Sequence, residues 1–161
     1  MLPADFKTFR EQFNNRKAKT FIVKPEASCQ GKGIFLTRNY DWVQNGEHYV
    51  AQRYLYKPYL IDNLKFDLRI YVLITSVIPL RIFIYKEGLA RFATTVYTPP
   101  VGSNLGNLMM HLTNYAINKE SEDFIPNQEE GKDDVGHKRS LTSIFKHIDQ
   151  ARLDDPEILS S

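Results

Sequence analysis

The chain has 161 residues, 42% hydrophobic and 12% aromatic, which are ordinary values for one globular domain or for part of a larger one. No apolar run approaches the roughly 20 residues that span a membrane, and the charged start of the chain lacks the apolar core of a secretory signal, so we expect no membrane partner and a cytoplasmic location. Cys29 is the only cysteine, which excludes an internal disulfide, and the spacing of the four histidines argues against a zinc site.

The charge of the chain is unevenly distributed. Residues 1–119 carry 16 Lys and Arg against 8 Asp and Glu, whereas residues 120–161 carry 5 against 11. A basic body indicates an anionic ligand, such as a nucleotide, a nucleic acid or an acidic protein, although most of these charges are also explained as solvated surface. We expect no nucleic-acid partner, because no recognition motif for one is present.

The first third of the chain predicts a basic N-terminal segment followed by a hairpin. Residues 1–19 are polar and basic, and we separate them from the rest of the chain, 20–161. Residues 21–24 and 34–37 are predicted strands, joined by the loop EASCQGKG with its two glycines. Residues 48–55 form the next predicted strand.

Residues 65–97 predict a three-stranded meander, with strands at 65–76, 80–86 and 89–97. The first strand has one unbroken apolar row, which we expect to face the core: Phe66, Leu68, Ile70, Val72 and Ile74. Its other face begins with three charged residues: Lys65, Asp67 and Arg69. Such a crowd of charges beside a fully apolar row calls for a functional reason.

The last third of the chain predicts a polar loop and then a helix. Residues 120–139 are polar and contain Gly131 and Gly136, so we expect a loop. Ser140 is a candidate N-cap, and the helix after it would bury one apolar face: Leu141, Ile144, Phe145 and Ile148. Residues 154–161 predict no regular structure.

Five cations lie on or beside these strands and could serve one anionic site: Lys24, Lys32, Lys65, Arg69 and Arg91. Lysine supplies point charges to phosphate, arginine supplies forked donors, and glycines such as Gly31 and Gly33 let backbone N–H groups close over it. The GKG triplet is not the GxxxxGK[ST] signature, and an ordinary hairpin tip and a solvated ion pair remain alternatives.

Four segments together resemble the tubulin–tyrosine ligase-like family, most closely its polyglutamylase branch. They are KPEASCQGKGIFLTRN, QRYLYKPYLIDNLKFDLRIYVLITS, PLRIFIYKEGLARFATTVY and HLTNYAINK. They stand in the family's order and cover roughly residues 20–148.

The resemblance implies an α+β, ATP-grasp-like fold, with a largely antiparallel sheet and flanking helices, of which residues 20–161 form an incomplete central part. It also implies ATP-dependent ligation of glutamate onto glutamate side chains of tubulin C-terminal tails, through an acyl phosphate. The expected cofactors are ATP and Mg²⁺, and the expected partners are tubulin, microtubules and free glutamate, in the cytoskeleton, a cilium or a basal body. The alternative is an inactive truncated relative that binds nucleotide or tubulin tails without ligation.

The resemblance further implies roles for individual residues of this chain. Lys24 is expected to contact phosphate, and Lys65 and Asp67 to bind the nucleotide. One loop is expected to cover the nucleotide: Gln30, Gly31, Lys32 and Gly33. Three residues are expected to border the adenine: Gln52, Tyr54 and Leu55.

The remaining implied roles concern catalysis and the amino-acid substrate. Arg69 and Arg91 are expected to face the γ-phosphate and the acyl phosphate, and Thr113 and Asn114 to lie near the amino acid. The family holds Mg²⁺ with a later segment, similar to LKPWLLEVN, which does not occur before Ser161. We therefore expect the metal ligands beyond Ser161 and assign none in this chain.

Overall fold

The computed structural model describes residues 1–13, 19–44, 46–126 and 133–154. Its strands are β1 (Phe21–Pro25), β2 (Phe35–Thr37), β3 (Tyr49–Arg53), β4 (Leu60–Ile61), β5 (Leu64–Arg69), β6 (Val72–Val77), β7 (Leu80–Ile84), β8 (Leu89–Phe92) and β9 (Lys138–Ser140). Its helices are α1 (Phe6–Glu11), α2 (Leu108–His111), α3 (Tyr115–Asn118) and α4 (Leu141–Asp154), with a 3-10 turn at Tyr40–Trp42.

The strands form three antiparallel sheets, ordered β2-β1-β3, β4-β5-β8-β9 and β6-β7. The predicted fold class, mixed α and β with largely antiparallel sheets and few helices, is confirmed. No helix within the described residues is long and apolar enough to cross a membrane.

The first sheet confirms the hairpin predicted over residues 21–37. Val23 of β1 stands opposite Phe35 of β2 and opposite Ala51 of β3. Because side chains alternate along a strand, Phe21 and Val23 pack on one face, in the cluster that contains Phe9. Ile22 lies on the other face, against a cluster of buried residues: Leu36, Tyr54, Tyr97, Leu105 and Met110. That second face is the one that carries the candidate site.

The start of the chain packs against the first sheet. Leu2 pairs with Tyr49 and is buried, and the ring of Phe9 in α1 meets that of Phe21 edge to face, with their centroids 5.2 Å apart. The division between residues 1–19 and 20–161 stays a prediction, and residues 14–18 lie outside the described part of the chain.

The second sheet is covered by the helix predicted at the end of the chain. Ser140 caps α4 as predicted, because its hydroxyl oxygen accepts from the Ser143 N–H at 3.1 Å. Leu141 and Ile144 are the buried residues of α4. The predicted apolar face of α4 is wrong at Phe145, which is 49% exposed. The buried stripe of α4 is narrower than four residues because it covers only the short strands of the second sheet.

The predicted loop over residues 120–139 ends in a strand. Lys138 and Arg139 belong to β9, which pairs with β8, so that the loop expectation is wrong from residue 138 onward. Nothing in the local sequence marks β9, whose pairing comes from the neighbouring strand. Gly131 and residues 155–161 lie outside the described part of the chain.

The predicted three-stranded meander is wrong, because the strand expected over residues 65–76 is divided after Arg69. β5 pairs with β8, whereas β6 pairs only with β7 and forms a separate hairpin. The division lies where Gly88 approaches the chain closely: a Cβ at Gly88 would stand 2.5 Å from the carbonyl oxygen of Arg69. Gly88 thus packs against the backbone at the end of β5.

The apolar row of residues 66–74 lies in a core only at its first member. Phe66 is stacked on Phe92, with their ring centroids 5.3 Å apart. Leu68 is 37% exposed, and the described part of the chain leaves both faces of the β6–β7 hairpin open to solvent. The expectation of a buried row is therefore wrong beyond Phe66, because the hairpin has left the second sheet.

We predict that Gly88→Ala lowers the free energy of unfolding by about 2 kcal/mol, because a new methyl group would press on a backbone oxygen that cannot rotate away. Urea denaturation would measure the loss. The matched control is Gly102→Ala, whose Cβ would meet nothing within 4 Å and which should change stability by less than about 1 kcal/mol. Equal losses in the two variants would contradict the close approach at Gly88.

Candidate functional site

The candidate site lies where the first sheet faces β5. Lys24 on β1 and Gln52 on β3 extend from the same face of the first sheet, and the Lys24 ammonium donates to the Gln52 side-chain oxygen at 3.1 Å. Lys65, at the start of β5, lies close enough for the positive charge of Lys24 to disfavour its protonation. The structure thus brings together three of the residues that the sequence predicted for nucleotide binding.

The ammonium group of Lys65 is held in a partly buried position. It donates to the phenolic oxygen of Tyr54 at 3.0 Å and to the backbone oxygen of His111 at 2.8 Å. Burial is the main reason why the pKa of Lys65 falls to about 8, and the Lys24 charge lowers this pKa further while Asp67 opposes the shift. Lys65 is therefore charged at neutral pH, and two neutral hydrogen-bond acceptors hold its ammonium group in one orientation.

A directed chain of hydrogen bonds continues inward from Lys65. His111 is buried, and its Nε2 lies 3.1 Å from the backbone oxygen of Asn104, which can only accept, so Nε2 carries the proton. Nδ1 is then the acceptor for the Tyr54 hydroxyl, at 3.1 Å. Burial lowers the pKa of His111 and raises that of Tyr54, so both groups are neutral at pH 7.

His111 and Asn118 are site-forming residues that the sequence reasoning missed. Asn118 is buried, its side-chain oxygen accepts from the Thr94 N–H at 2.8 Å, and its amide donates to the Leu112 carbonyl at 2.8 Å. It thereby fixes α3 to the chain that follows β8. The available signal was a polar residue inside each of the short stretches MMHL and YAIN, which is too weak to separate from ordinary capping.

Asp67 and Arg91 form an ion pair between the paired strands β5 and β8. They stand directly opposite each other, and the Arg91 Nε donates to one Asp67 oxygen at 3.0 Å while a terminal nitrogen contacts the other. This hydrogen bonding raises the pKa of Arg91. Arg91, predicted to be catalytic, is thus bound to the one predicted carboxylate, so its charge is already partly neutralised.

Arg69, the other predicted catalytic arginine, is the more accessible of the two. It lies at the end of β5, is exposed, and its guanidinium carbon stands 6.0 Å from the centroid of the Tyr71 ring. Its side chain is therefore able to reach an anion without first breaking an ion pair.

The glycine-containing loop closes over the end of β1. Gln30, Gly31 and Gly33 have positive φ angles of 59°, 86° and 70°, and the Lys32 N–H donates to the Cys29 carbonyl at 3.1 Å. The loop and β1 enclose a cavity of about 220 Å³, which Lys24 and Lys32 both line. The predicted covering loop is therefore placed over the predicted phosphate contact, with its backbone tightly turned.

Of the two predicted substrate residues, Asn114 lies close to this loop. A Cβ at Gly31 would stand 3.0 Å from the side-chain carbon Cγ of Asn114, which begins α3. Thr113 is half-buried between α2 and α3, and Leu55 is 75% exposed. The loop thus approaches Asn114 and shares a cavity with Lys24, and the roles of all of these residues, as of Thr113 and Leu55, stay predictions.

The donor set fits a phosphate chain but not a metal ion. Lys24, Lys65 and Arg69 offer cationic donors, and the turned loop offers backbone N–H groups. Among residues 1–13, 19–44, 46–126 and 133–154, no group of three or more His, Cys, Asp or Glu side chains could hold a metal ion. We therefore assign no residue of the described chain to Mg²⁺.

We predict that the Lys65 amine titrates near pH 8, well below the ordinary lysine value of about 10.5. Between pH 8 and about 10.5 the unfolded chain binds more protons at this residue than the folded chain, so its contribution to folding stability rises over that interval. NMR of ¹³C-methylated lysines would measure the titration, with Lys65→Arg as the assignment control. A lowest lysine pKa above 10 would contradict the geometry.

Comparison with known proteins identifies the family to which this chain is similar. A model described as the tubulin-tyrosine ligase family matches residues 1–161. The chain is 55% identical over 151 residues to a probable beta-tubulin polyglutamylase of Tetrahymena thermophila, covering 92% of this chain and 13% of that protein. It is 50% identical over 157 residues to tubulin polyglutamylase ttll6 of Danio rerio, covering 98% and 20%.

A human relative gives the same result: tubulin polyglutamylase TTLL13 is 55% identical over 143 residues, covering 89% of this chain and 17% of that protein. The chain thus spans a fifth or less of the length of these three relatives. The predicted resemblance is confirmed, and the antiparallel sheets described above are those of an ATP-grasp-like fragment. The chain belongs to the tubulin-tyrosine ligase family.

Proposed function

We propose that this chain is the central part of an ATP-dependent ligase that joins glutamate to glutamate side chains of tubulin C-terminal tails. The names of its relatives, tubulin polyglutamylases, support the class of reaction and the substrate. The cluster of Lys24, Lys65 and Arg69 beside a tightly turned glycine loop supports the use of a phosphate-bearing substrate.

The chemistry explains why such a cluster is needed. A carboxylate is a poor electrophile, so in this proposal the γ-phosphoryl group of ATP is transferred to the acceptor carboxylate, giving an acyl phosphate and ADP. The amine of glutamate then attacks the acyl carbon, phosphate leaves and a proton is lost. Both steps bring anionic groups together, and fixed cations stabilise the charge that develops.

The proposal assigns a role to each of these residues. Lys24 and Lys65 bind the phosphates beneath the loop of residues 30–33, and Arg69 reaches the transferred group. Asp67 orients Arg91 through the paired strands β5 and β8. Gln52, Tyr54 and Leu55 border the adenine, and Thr113 and Asn114 lie near the incoming glutamate. The proposal assigns no described residue of this chain to Mg²⁺.

The proposed protein substrate suits the charge of the chain. Residues 1–119 carry a net charge of +8, which would attract an acidic tubulin tail and make the association sensitive to salt. The proposed site of action is the microtubule, and with it the cytoskeleton, including a cilium or basal body.

One observation carries the nucleotide part of the proposal. The hydrogen-bond acceptors of the Lys24 and Lys65 ammonium groups are all neutral oxygens, and the charge of Lys24 acts against the charge of Lys65, although Asp67 opposes this effect. Two like charges in a partly buried position repel each other, and a bound phosphate chain would relieve that repulsion. We therefore expect Lys65 to contribute strongly to nucleotide affinity.

The first test measures ADP binding to the chain by calorimetry. We expect Lys65→Ala to weaken binding about 30-fold, which corresponds to the loss of about 2 kcal/mol from one charged hydrogen bond. The matched control is Lys86→Ala, which removes an exposed lysine after β7 and should leave affinity within about twofold. Absence of ADP binding to the unaltered chain, or equal effects of the two variants, would overturn the nucleotide site.

The second measurement concerns ligation itself. Native protein purified from its own cells should incorporate labelled glutamate into tubulin only when ATP and Mg²⁺ are present. Lys65→Ala and Arg69→Ala in the same polypeptide should reduce incorporation at least about 100-fold, because each removes a charge that faces the transferred group. ADP binding without any glutamate incorporation would reject the ligase proposal.

A further inference from the structure

A second basic cavity lies at the far end of the first sheet. Its volume is about 210 Å³, and its lining contains three cations but no acidic residue: Lys19, Thr20, Arg38, Arg53, Tyr54, Tyr56, Pro99 and Pro100. The cations come from three places, before β1, after β2 and at the end of β3. They therefore converge through the fold and not through one basic stretch of sequence.

Arg38 is held in place by neutral partners. Its Nε donates to the Thr20 hydroxyl at 2.9 Å, and a terminal nitrogen donates to the carbonyl oxygen of Pro100. The side chain is half-buried, and no carboxylate of the described residues forms an ion pair with it. The guanidinium group is thus already oriented before an anion binds, which lowers the entropic cost of binding. Its positive charge is not balanced by a carboxylate of the described residues.

Lys19 and Arg53 add further positive charge. The Lys19 ammonium donates to the side-chain oxygen of Gln12 at 3.0 Å, which is again a neutral partner. Arg53 is exposed, and among the described residues no hydrogen bond or ion pair of its side chain occurs. Three cations around one small cavity repel each other, and a bound anion would remove part of that repulsion.

The cavity is separate from the candidate nucleotide site but adjoins it. Because side chains alternate along β3, Gln52 extends toward Lys24 and Arg53 extends from the opposite face of the sheet. Tyr54 belongs to both, because it is one of the residues that line this cavity and its hydroxyl accepts from Lys65. The two sites therefore share one residue.

The residues that line the cavity favour a ligand with a carboxylate at the end of a short chain of methylene groups. Arginine guanidinium groups bind carboxylates through two parallel hydrogen bonds, and the rings of Tyr56, Pro99 and Pro100 offer apolar contact to methylene groups. A cavity of about 210 Å³ is smaller than the roughly 300 Å³ at which pockets for larger ligands begin, so it suits one side chain. We propose that it binds the γ-carboxylate of a glutamate residue in an acidic peptide, which in the proposed function is part of the acceptor tail.

The test measures fluorescence anisotropy of a labelled peptide of six glutamates, without nucleotide. Arg53→Gln is the primary variant, because no intramolecular bond of Arg53 has to be broken, and we expect about tenfold weaker binding. The matched control is Arg81→Gln on β7, which removes the same charge from an exposed position outside the cavity and should change affinity by less than about twofold. Arg38→Lys keeps the charge but loses the fork, and should also weaken binding.

Equal weakening by Arg53→Gln and Arg81→Gln would overturn the proposal, since it would show attraction by net charge alone. Absence of peptide binding to the unaltered chain would overturn it as well. Displacement of the peptide by free glutamate at an equal molar concentration would overturn the peptide as the ligand and point to the free amino acid.

The outcome is independent of the nucleotide site. Peptide binding without ADP binding would support this cavity as a peptide site and reject the proposed function. ADP binding without peptide binding would support the nucleotide site and reject the cavity as a peptide site. Measuring both ligands on one preparation of the unaltered chain therefore separates the two failures.

Discussion

Three separate segments of the chain meet at the ammonium group of Lys65. β5 supplies the lysine, the end of β3 leads into Tyr54, and α2 supplies His111. The hydrogen bonds that orient this charge therefore also hold the first sheet, the second sheet and α2 in contact. Because each donor and acceptor in the chain is partly or fully buried, losing one would leave another unpaired. The candidate site and the fold around it consequently depend on the same few contacts.

Cations without a carboxylate ion-pair partner occur in both of the sites that share Tyr54. Lys24 and Lys65 belong to the candidate nucleotide site, whereas Arg38 and Arg53 line the second basic cavity. The hydrogen-bond acceptors of Lys24, Lys65 and Arg38 are neutral oxygens. Asp67 is the carboxylate of the candidate nucleotide site: strand register pairs it with Arg91, and its charge also favours the protonated form of Lys65. A protein that keeps like charges in such positions gives up some folding stability, and anionic ligands return it when they bind. A ligase that joins anionic substrates would gain most from this arrangement.

The sequence predicted the parts of the fold that depend on local signals. The hairpin over residues 21–37 has strand propensity on both sides of a glycine loop, and α4 has a serine cap before its apolar spacing. The division after Arg69 was not predictable, because the apolar alternation continues without interruption, whereas in the fold β5 pairs with β8 and β6 pairs with β7. The sequence motifs identified Lys24, Gln52 and Lys65 as site residues, and the structure brings these three together. The contribution of His111 was not predictable, because it depends on contacts with residues that are distant in the sequence.

The β6–β7 hairpin has a thermodynamic consequence. Its apolar side chains, among them Val72, Leu73 and Ile84, are more than half exposed, so water already surrounds them before the chain unfolds. The heat capacity of unfolding arises mainly from newly hydrated apolar surface, at about 12–15 cal/mol/K per residue in ordinary globular proteins. The heat capacity change on unfolding of this chain should therefore lie below that range, and its stability should depend less steeply on temperature. Any polypeptide that covers the hairpin would restore the usual curvature of stability against temperature.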